Sequence, residues 1–381
     1  MKIILAPDSF KGSLTSMQAI SIIKKAAIKY FPYANIVELP IADGGEGTVE
    51  ALVEALHGEY RDVVTMDPIG RKIKVVYGIV NGDTAVIETA AASGLPLLSS
   101  EERNPLYTST YGTGEIIKAV LDDGLRKFII GIGGSATNDG GMGVATALGI
   151  NFLDKNGNKL KPIGENLQSV RDIDFDGLDP RISDSDIVVM CDVQNPLTGS
   201  NGATYVYGRQ KGADDIALDI LERGMVNYAD VVYKKLCMDN RNKEGAGAAG
   251  GLGFALSVFF DAKLKPGIEA VLDAVDFDNL LKDADLVITG EGSMDGQSIF
   301  GKVPVGIAKR CKRYGVPVSA IAGGMGRDAE KLYDVGIGSI ITTINGSMMI
   351  DEAMERAEEL MYSAADRMLR FIRMGMNIRG I

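Results

Sequence analysis

Phe128-Ile129-Ile130-Gly131-Ile132-Gly133-Gly134-Ser135-Ala136-Thr137-Asn138-Asp139-Gly140-Gly141 runs from an apolar triplet through glycines into the segment Met142–Leu148. The triplet reads as a buried strand, and Met142–Leu148 as the start of a helix. A strand that empties through glycines into a helix start is the unit of an α/β sheet, and it is also a place to hold an anion. Glycine lets backbone N–H groups approach closely, and the unpaired N–H groups of the first helical turn point at the bound charge. Ser135, Thr137 and Asn138 add side-chain donors. Asp139 adds a carboxylate, which a phosphate repels unless a metal ion sits between them. The stretch therefore suggests a metal–nucleotide site more than a bare phosphate cradle.

Towards the N-terminus the same grammar repeats. Residues 2–6 read as a strand, followed by the loop Pro7–Ser13 and the capping-box form Thr15-x-x-Gln18. Ile20, Ile23, Ala27 and Tyr30 recur at helical spacing, and a second strand, 36–39, runs into Ala42–Thr48 and a helix to about Leu56. From about residue 60 the style changes. Ile73–Val80, Asn81-Gly82-Asp83 and Thr84–Glu88 read as a hairpin, and Leu153–Asn158 as another tight turn. From residue 285 strands are expected at 286–289, 316–321 and 340–343, with helices at about 301–314 and 328–334. Met354, Ala357, Met361, Ala364, Met368 and Phe371 form an apolar stripe on a last helix that packs on the sheet.

Neither terminal block has enough strands to bury a sheet alone, but two from one end and three from the other make an ordinary five-stranded parallel sheet. The expectation is an α/β protein with a discontinuous domain, 1–62 with 285–381, and an inserted domain, 63–284, whose sheet is mixed.

Composition narrows the function. The net charge of −11 disfavours nucleic acid and anionic membranes as partners. No run approaches the length needed to span a bilayer. The opening Met-Lys-Ile-Ile-Leu-Ala-Pro reads as a strand and not as a signal peptide. Cys191, Cys237 and Cys311 are odd in number and far apart, so each is expected to be a small buried apolar residue. A cytoplasmic protein is expected. The one histidine, His57, precedes Gly58 near a helix end, where it suits the helix dipole, so histidine catalysis is not expected.

Loops at 7–13, 42–48, 131–141, 192–202 and 290–302 all follow expected strands, where ligands of open α/β sheets bind. Each carries a carboxylate: Asp8, Asp43 and Glu46, Asp139, Asp192, Glu291 and Asp295. Capping of the next helix is the plain alternative for Asp8 and Asp43. The cations within glycine-rich loops are Lys11, Arg209, Lys211 and Lys302. Lys11 and Lys302 lie at or before helix starts, which makes sense if an anion sits between cation and helix. Gly131-x-Gly133-x-x-Ala136, with Asp154 beyond it, also fits a dinucleotide fingerprint, while no P-loop string is present. Gly245–Gly253 reads either as close helix–backbone packing or as room for a flat base or phosphates.

Taken together, these loops resemble one family, the bacterial glycerate kinases of the two-domain type. The resemblance rests on Ala6–Gly12, Ala42–Thr48, Gly131–Gly141, Asn195-Pro196-Leu197 through Gly202-Ala203, Gln210–Ala213, Gly245–Gly253 and Gly290-Glu291-Gly292-Ser293-x-Asp295-x-Gln297, in order along nearly the whole chain. Thr198 and Arg209 depart from the family's pattern without removing a charged group from a proposed site. The resemblance implies ATP-dependent phosphorylation of D-glycerate with Mg²⁺, favouring 2-phosphoglycerate. It also implies a Rossmann-like domain, a second α/β domain inserted in it, and an active site in the cleft between them. Within that frame the nucleotide is expected at Gly133, Gly134, Ser135, Thr137, Asn138 and Lys302. The metal is expected at Asp139 and Glu291. Asp8, Ser9, Lys11, Glu46, Ser93 and Gly94 are expected to hold glycerate. Asp192 is the first choice of base and Asp43 the second, with Lys11 assisting. Phosphorylation at the 3-hydroxyl, an NAD-dependent hydroxy-acid oxidoreductase and a non-catalytic acid sensor are the alternatives. Monomer and homodimer are both open.

Overall fold

The computed structural model describes residues 1–41, 47–296 and 302–378. Asp43 and Glu46, two of the expected site residues, lie outside the described residues. In chain order the strands are β1 Lys2–Pro7, β2 Asn35–Glu38, β3 Glu59–Met66, β4 Lys72–Val80, β5 Thr84–Glu88 and β6 Lys127–Gly131. They continue as β7 Asn151–Leu153, β8 Asp172–Asp174, β9 Asp186–Met190, β10 Lys263–Lys265, β11 Leu286–Met294, β12 Val318–Met325 and β13 Ile337–Thr342. The chain divides into two compact units, Met1–Asp43 with Val271–Ile381, and Gly44–Ala270.

The first unit holds a five-stranded sheet in the order β13-β12-β11-β1-β2, parallel throughout. Strand β1 is a run of apolar residues buried on both faces, which is what a central parallel strand requires. Helix Ser16–Tyr30 begins with the capping box expected from sequence: Gln18 N–H donates to Thr15 Oγ1 at 3.2 Å, and Thr15 N–H donates to Gln18 Oε1 at 2.8 Å. Ile20 and Ile23 on this helix and Met361 and Met368 on helix Ala357–Met376 share one core with Ile3 and Leu5. The expected C-terminal stripe is corrected in part. The helix breaks at Arg356, Met361, Ala364 and Met368 face the core, and Phe371 is 63% exposed. The expected spacing carried Phe371 past the buried arc that Leu360, Ala365 and Leu369 complete.

The chain leaves β1 towards β2 on one side, whereas β11, β12 and β13 follow on the other. The strand order therefore reverses between β1 and β11, and the crevice at their carboxyl ends is the place where open α/β sheets bind ligands.

The second unit holds a six-stranded sheet in the order β10-β9-β6-β5-β4-β3. β3, β4 and β5 pair antiparallel, and β5, β6, β9 and β10 parallel, so the sheet is mixed. The Asn-Gly hairpin forms as read, with Asn81 and Gly82 both at positive φ, 54° and 73°. Asp154 closes the second turn by accepting from the Asn156 and Asn158 amides.

Two boundaries differ from the expected ones. Helix Thr48–Ala55 packs on β4 and β5, so the second unit begins well before residue 63. The helices after Val271 stay with the first unit, where buried Arg310 pairs with Asp273 at 2.6 Å and Asp278 at 3.1 Å. The cysteines also differ: Cys311 is buried, Cys191 is half-buried, and Cys237 is exposed because it ends helix Asp215–Leu236 in a left-handed turn. Among the described residues no helix is long and apolar enough to cross a membrane.

Candidate functional site

The loop Gly131–Gly141 forms between β6 and helix Met142–Ala147 as expected, yet its chemistry faces inward. Only Gly133 and Gly134 are exposed; Ser135 through Gly141 are buried. Asp139 has 0% exposure and accepts four hydrogen bonds: from Thr110 N–H at 2.8 Å, Thr110 Oγ1 at 2.9 Å, Gly141 N–H at 3.0 Å and Gly143 N–H at 3.1 Å. Burial raises its pKa, and the Thr110, Gly141 and Gly143 bonds oppose that rise. A carboxylate so enclosed organises the loop from within.

Lys211 lies beneath the same loop, 3% exposed. Its Nζ donates to Ser135 Oγ at 2.9 Å and to the Thr137 carbonyl at 2.7 Å. Loss of hydration lowers its pKa to about 7, partly offset by the charge of Asp139. Asn138 Nδ2 donates to Thr204 Oγ1 at 3.1 Å. Among the described residues neither Thr137 Oγ1 nor Asn138 Oδ1 has a hydrogen-bond partner, although both are buried. Leaving such groups unpaired costs about 1–3 kcal/mol each.

The stretch Gly245–Gly253 resolves towards packing. Within Ala248–Phe259, residues Ala249, Gly250 and Gly251 leave helical geometry, with φ of 52°, 68° and 91°. Gly250 carbonyl accepts from Gly140 N–H at 3.0 Å, and a Cβ on Gly250 would stand 2.1 Å from the Thr137 carbonyl oxygen. The small residues let two backbones touch and leave no room for a base. Ser93 supports the loop from its other side. Its carbonyl accepts from Ala136 N–H at 2.8 Å, its hydroxyl bonds Thr113 Oγ1 at 2.8 Å, and Gly94 bridges to Ser135. Ser93, fully buried, therefore holds the glycine loop, while the adjoining exposed positions are Gly133 and Gly134.

Asp192 follows β9 and is exposed, with Oδ1 accepting from Gly267 N–H at 2.8 Å. The bond holds the carboxylate in place and leaves it accessible. In the same unit, Glu222 accepts from Gly199 N–H at 2.6 Å, and burial raises its pKa.

In the first unit a cavity of about 550 Å³ opens at the carboxyl ends of β1, β11, β12 and β13. One part is charged and lined by Asp8, Ser9, Lys11, Glu291 and Lys302. Asp8 and Glu291 are 8% and 6% exposed. Asp8 Oδ1 accepts from Ser9 N–H at 2.6 Å, which fixes the loop after β1. Lys302 stands at the first position before helix Val303–Tyr314; its Nζ lies 3.5 Å from Glu291 Oε2 and donates to the Ser293 carbonyl at 3.2 Å. Most of the remaining side chains of the wall are apolar, with Ser13, Ser293 and Thr343 as polar exceptions.

The structure thus gathers Asp8, Ser9, Lys11, Glu291 and Lys302 in one cavity. It places Ser135, Thr137, Asn138 and Asp139 inside the second unit, and Asp192 at the end of β9 in that unit. Thr110, Thr204 and Glu222 were missed because their partners are distant in sequence. Lys211 showed only as one of few loop cations. The dinucleotide alternative loses its acid, since Asp154 is spent on its own turn.

Comparison with known proteins agrees in one direction. A model of the glycerate kinase family matches residues 3–373. A glycerate kinase of Bacillus subtilis (strain 168) is 49% identical over 366 residues, 96% of each chain. A glycerate 2-kinase of Escherichia coli (strain K12) is 45% identical over 381 residues, the full length of both. A crystal structure assigned to glycerate kinase 2 of Salmonella typhimurium LT2 matches with a TM-score of 0.90 at 42% identity, covering 99% of this chain and 100% of that one. Curated kinases of this similarity leave no place for the oxidoreductase and sensor alternatives. The chain is a kinase that phosphorylates an alcohol group, and it belongs to the glycerate kinase family.

Proposed function

We propose that the protein transfers the γ-phosphoryl group of ATP to the 2-hydroxyl of D-glycerate with the help of Mg²⁺. The observation that carries this is the charged part of the cavity, where two lysines and two nearly buried carboxylates line one space beside the strand-order reversal. The choice of the 2-hydroxyl is supported by the Escherichia coli relative's name, glycerate 2-kinase. Phosphoryl transfer needs positioning, charge neutralisation and a group to take the hydroxyl proton, with little covalent chemistry from protein.

Asp8 and Glu291 fit a magnesium site. Both offer hard oxygen donors in one cavity, and this ion takes only one or two protein carboxylates besides water and phosphate oxygens. Asp139 does not fit, because four protein donors already engage its oxygens. When bound, Mg²⁺ neutralises charge on the phosphate oxygens. Lys302, held beside Glu291, offsets further phosphate charge, and Lys11 with Ser9 grips the glycerate carboxylate. Gly133 and Gly134 are the exposed residues of the glycine loop and the part of it open to a phosphate. Asp192 takes the hydroxyl proton.

The test supplies ATP, Mg²⁺ and D-glycerate and couples the product to enolase without phosphoglycerate mutase. Formation of phosphoenolpyruvate is expected. ADP release without phosphoenolpyruvate would move the reaction to the 3-hydroxyl, and no glycerate-dependent ADP release would overturn the function.

A further inference from the structure

We infer that the apolar part of the first unit's cavity holds the purine nucleoside of the phosphoryl donor. This rests on the phosphotransfer function proposed above, and it puts the donor's base in a different place from the glycine loop at Gly131–Gly141.

The cavity has two chemistries. Besides Asp8, Lys11, Glu291 and Lys302, the cavity is lined by Phe10, Ile344, Ile350, Met354 and Met361. D-Glycerate is a small acid with no apolar group, and its recognition ends at the charged part. A volume of about 550 Å³ with an apolar wall suits a larger ligand that has a flat body and an acidic tail. Methionine thioethers make favourable contacts with aromatic rings and adapt to their outline. Ile350 is 74% exposed, and Ile344 and Met354 are each 40% exposed. Such a rim of large apolar side chains marks a surface that a ligand covers.

Two adjacent glycines of β12 provide an independent observation. A Cβ on Gly323 would meet the Gly292 carbonyl oxygen at 2.3 Å, so its absence is required by strand packing. Among the described residues a Cβ on Gly324 would meet nothing within 4 Å, although Gly324 lines the cavity. Among the described residues neither packing nor a left-handed φ asks for glycine at 324. The space that its missing side chain leaves belongs to the cavity. The charged part then lies where the nucleoside's phosphates would emerge, beside Lys302 and the carboxylates proposed to hold the ion.

The experiment compares wild type with Gly324→Val, which puts a side chain into the cavity from a strand position, and with Ile350→Ser at an exposed rim position. In each protein the KM for ATP and for D-glycerate is measured, and ADP binding is followed by calorimetry without glycerate. We expect the KM for ATP and the Kd for ADP to rise at least tenfold in Gly324→Val and severalfold in Ile350→Ser, with the glycerate KM within twofold of wild type. Photolabelling of wild type by 8-azido-ADP should mark peptides within 344–361. A raised glycerate KM with unchanged ATP KM would overturn the inference by giving the cavity to the acid. Unchanged constants in both variants, or labelling confined to 131–141, would overturn it as well. Should wild type fail to phosphorylate glycerate, the proposed function falls, and ADP binding and labelling still decide the cavity's ligand.

Discussion

At the residue scale, Asp139 and Lys211 show how burial redirects a charge. From sequence, Asp139 is a metal ligand in waiting; in the fold it is a fully buried acceptor for one hydroxyl and three amides. Its hydrogen-bond partners lie up to 29 residues away, which no local pattern displays. Lys211 is the complementary case. Folding lowers its pKa from 10.5 to about 7. Between those values the unfolded chain binds a proton that the folded chain does not, so stability rises with pH over that range, by up to about 1.4 kcal/mol per pH unit. Below about pH 7 the contribution is flat. Urea unfolding of wild type and Lys211→Met should therefore show a gap that shifts in favour of wild type as pH rises above 7. A pH-independent gap would sink the assignment. Asp192 makes a prediction of another kind. In Asp192→Asn the side-chain oxygen can still accept from Gly267 N–H, so the local structure should be retained while the proposed base is lost. The expected result is a fall in kcat of at least about 100-fold with KM little changed. Near-normal turnover would pass the role to another carboxylate.

At the scale of elements, the helix that opens at Ala248 carries the least local logic. Small residues alone cannot say whether they admit a ligand or a neighbouring backbone. Here the neighbour is the glycine loop, reached through Gly250 at φ 68° with its carbonyl bonded to Gly140 N–H. Gly250→Ala would add a Cβ 2.1 Å from the Thr137 carbonyl oxygen and place a side chain in the left-handed region. Steric overlap and backbone strain together should cost at least about 2 kcal/mol. Chemical denaturation should reveal this as a lower midpoint, and an unchanged midpoint would show that the loop and helix can separate without cost. The hairpin at Asn81-Gly82 and the capping box at Thr15–Gln18 were legible because each is closed by residues within a few positions. The strands expected from sequence were legible mainly as apolar runs, although β11 continues five residues past its expected end at 289, to Met294, whereas β3, mostly exposed and polar, and the three-residue β7, β8 and β10 offered no such run. The glycine loop was legible as a place but not as a chemistry, because which side chains face inward is set by Lys211, Thr110 and Thr204 from elsewhere in the chain.

At the scale of the whole molecule, the consequence of building one unit from both chain ends is kinetic. Strand β1 pairs with β11, residue Ile3 opposite Leu286, so the first unit's central contact joins positions separated by nearly three hundred residues. The segment between its two parts is the second unit, Gly44–Ala270. Closing a flexible loop of about 230 residues costs about 5 kcal/mol beyond a constant term. That cost must be met before β1 and β11 can pair, unless the intervening chain has already become compact. The second unit has no such debt, since its sheet uses one continuous segment and begins with the β3–β4 hairpin pairing. Its contacts are the more local ones, and local contacts form faster. Refolding should therefore give the second unit first, with β1–β11 pairing last. Pulsed hydrogen exchange during refolding from urea would show amides of β4, β5 and β6 protected before those of β1 and β11. Simultaneous protection would mean that both units fold in one cooperative step. Earlier protection of β1 and β11 would mean that the chain ends meet before the insert forms, against the entropy of closing so long a loop.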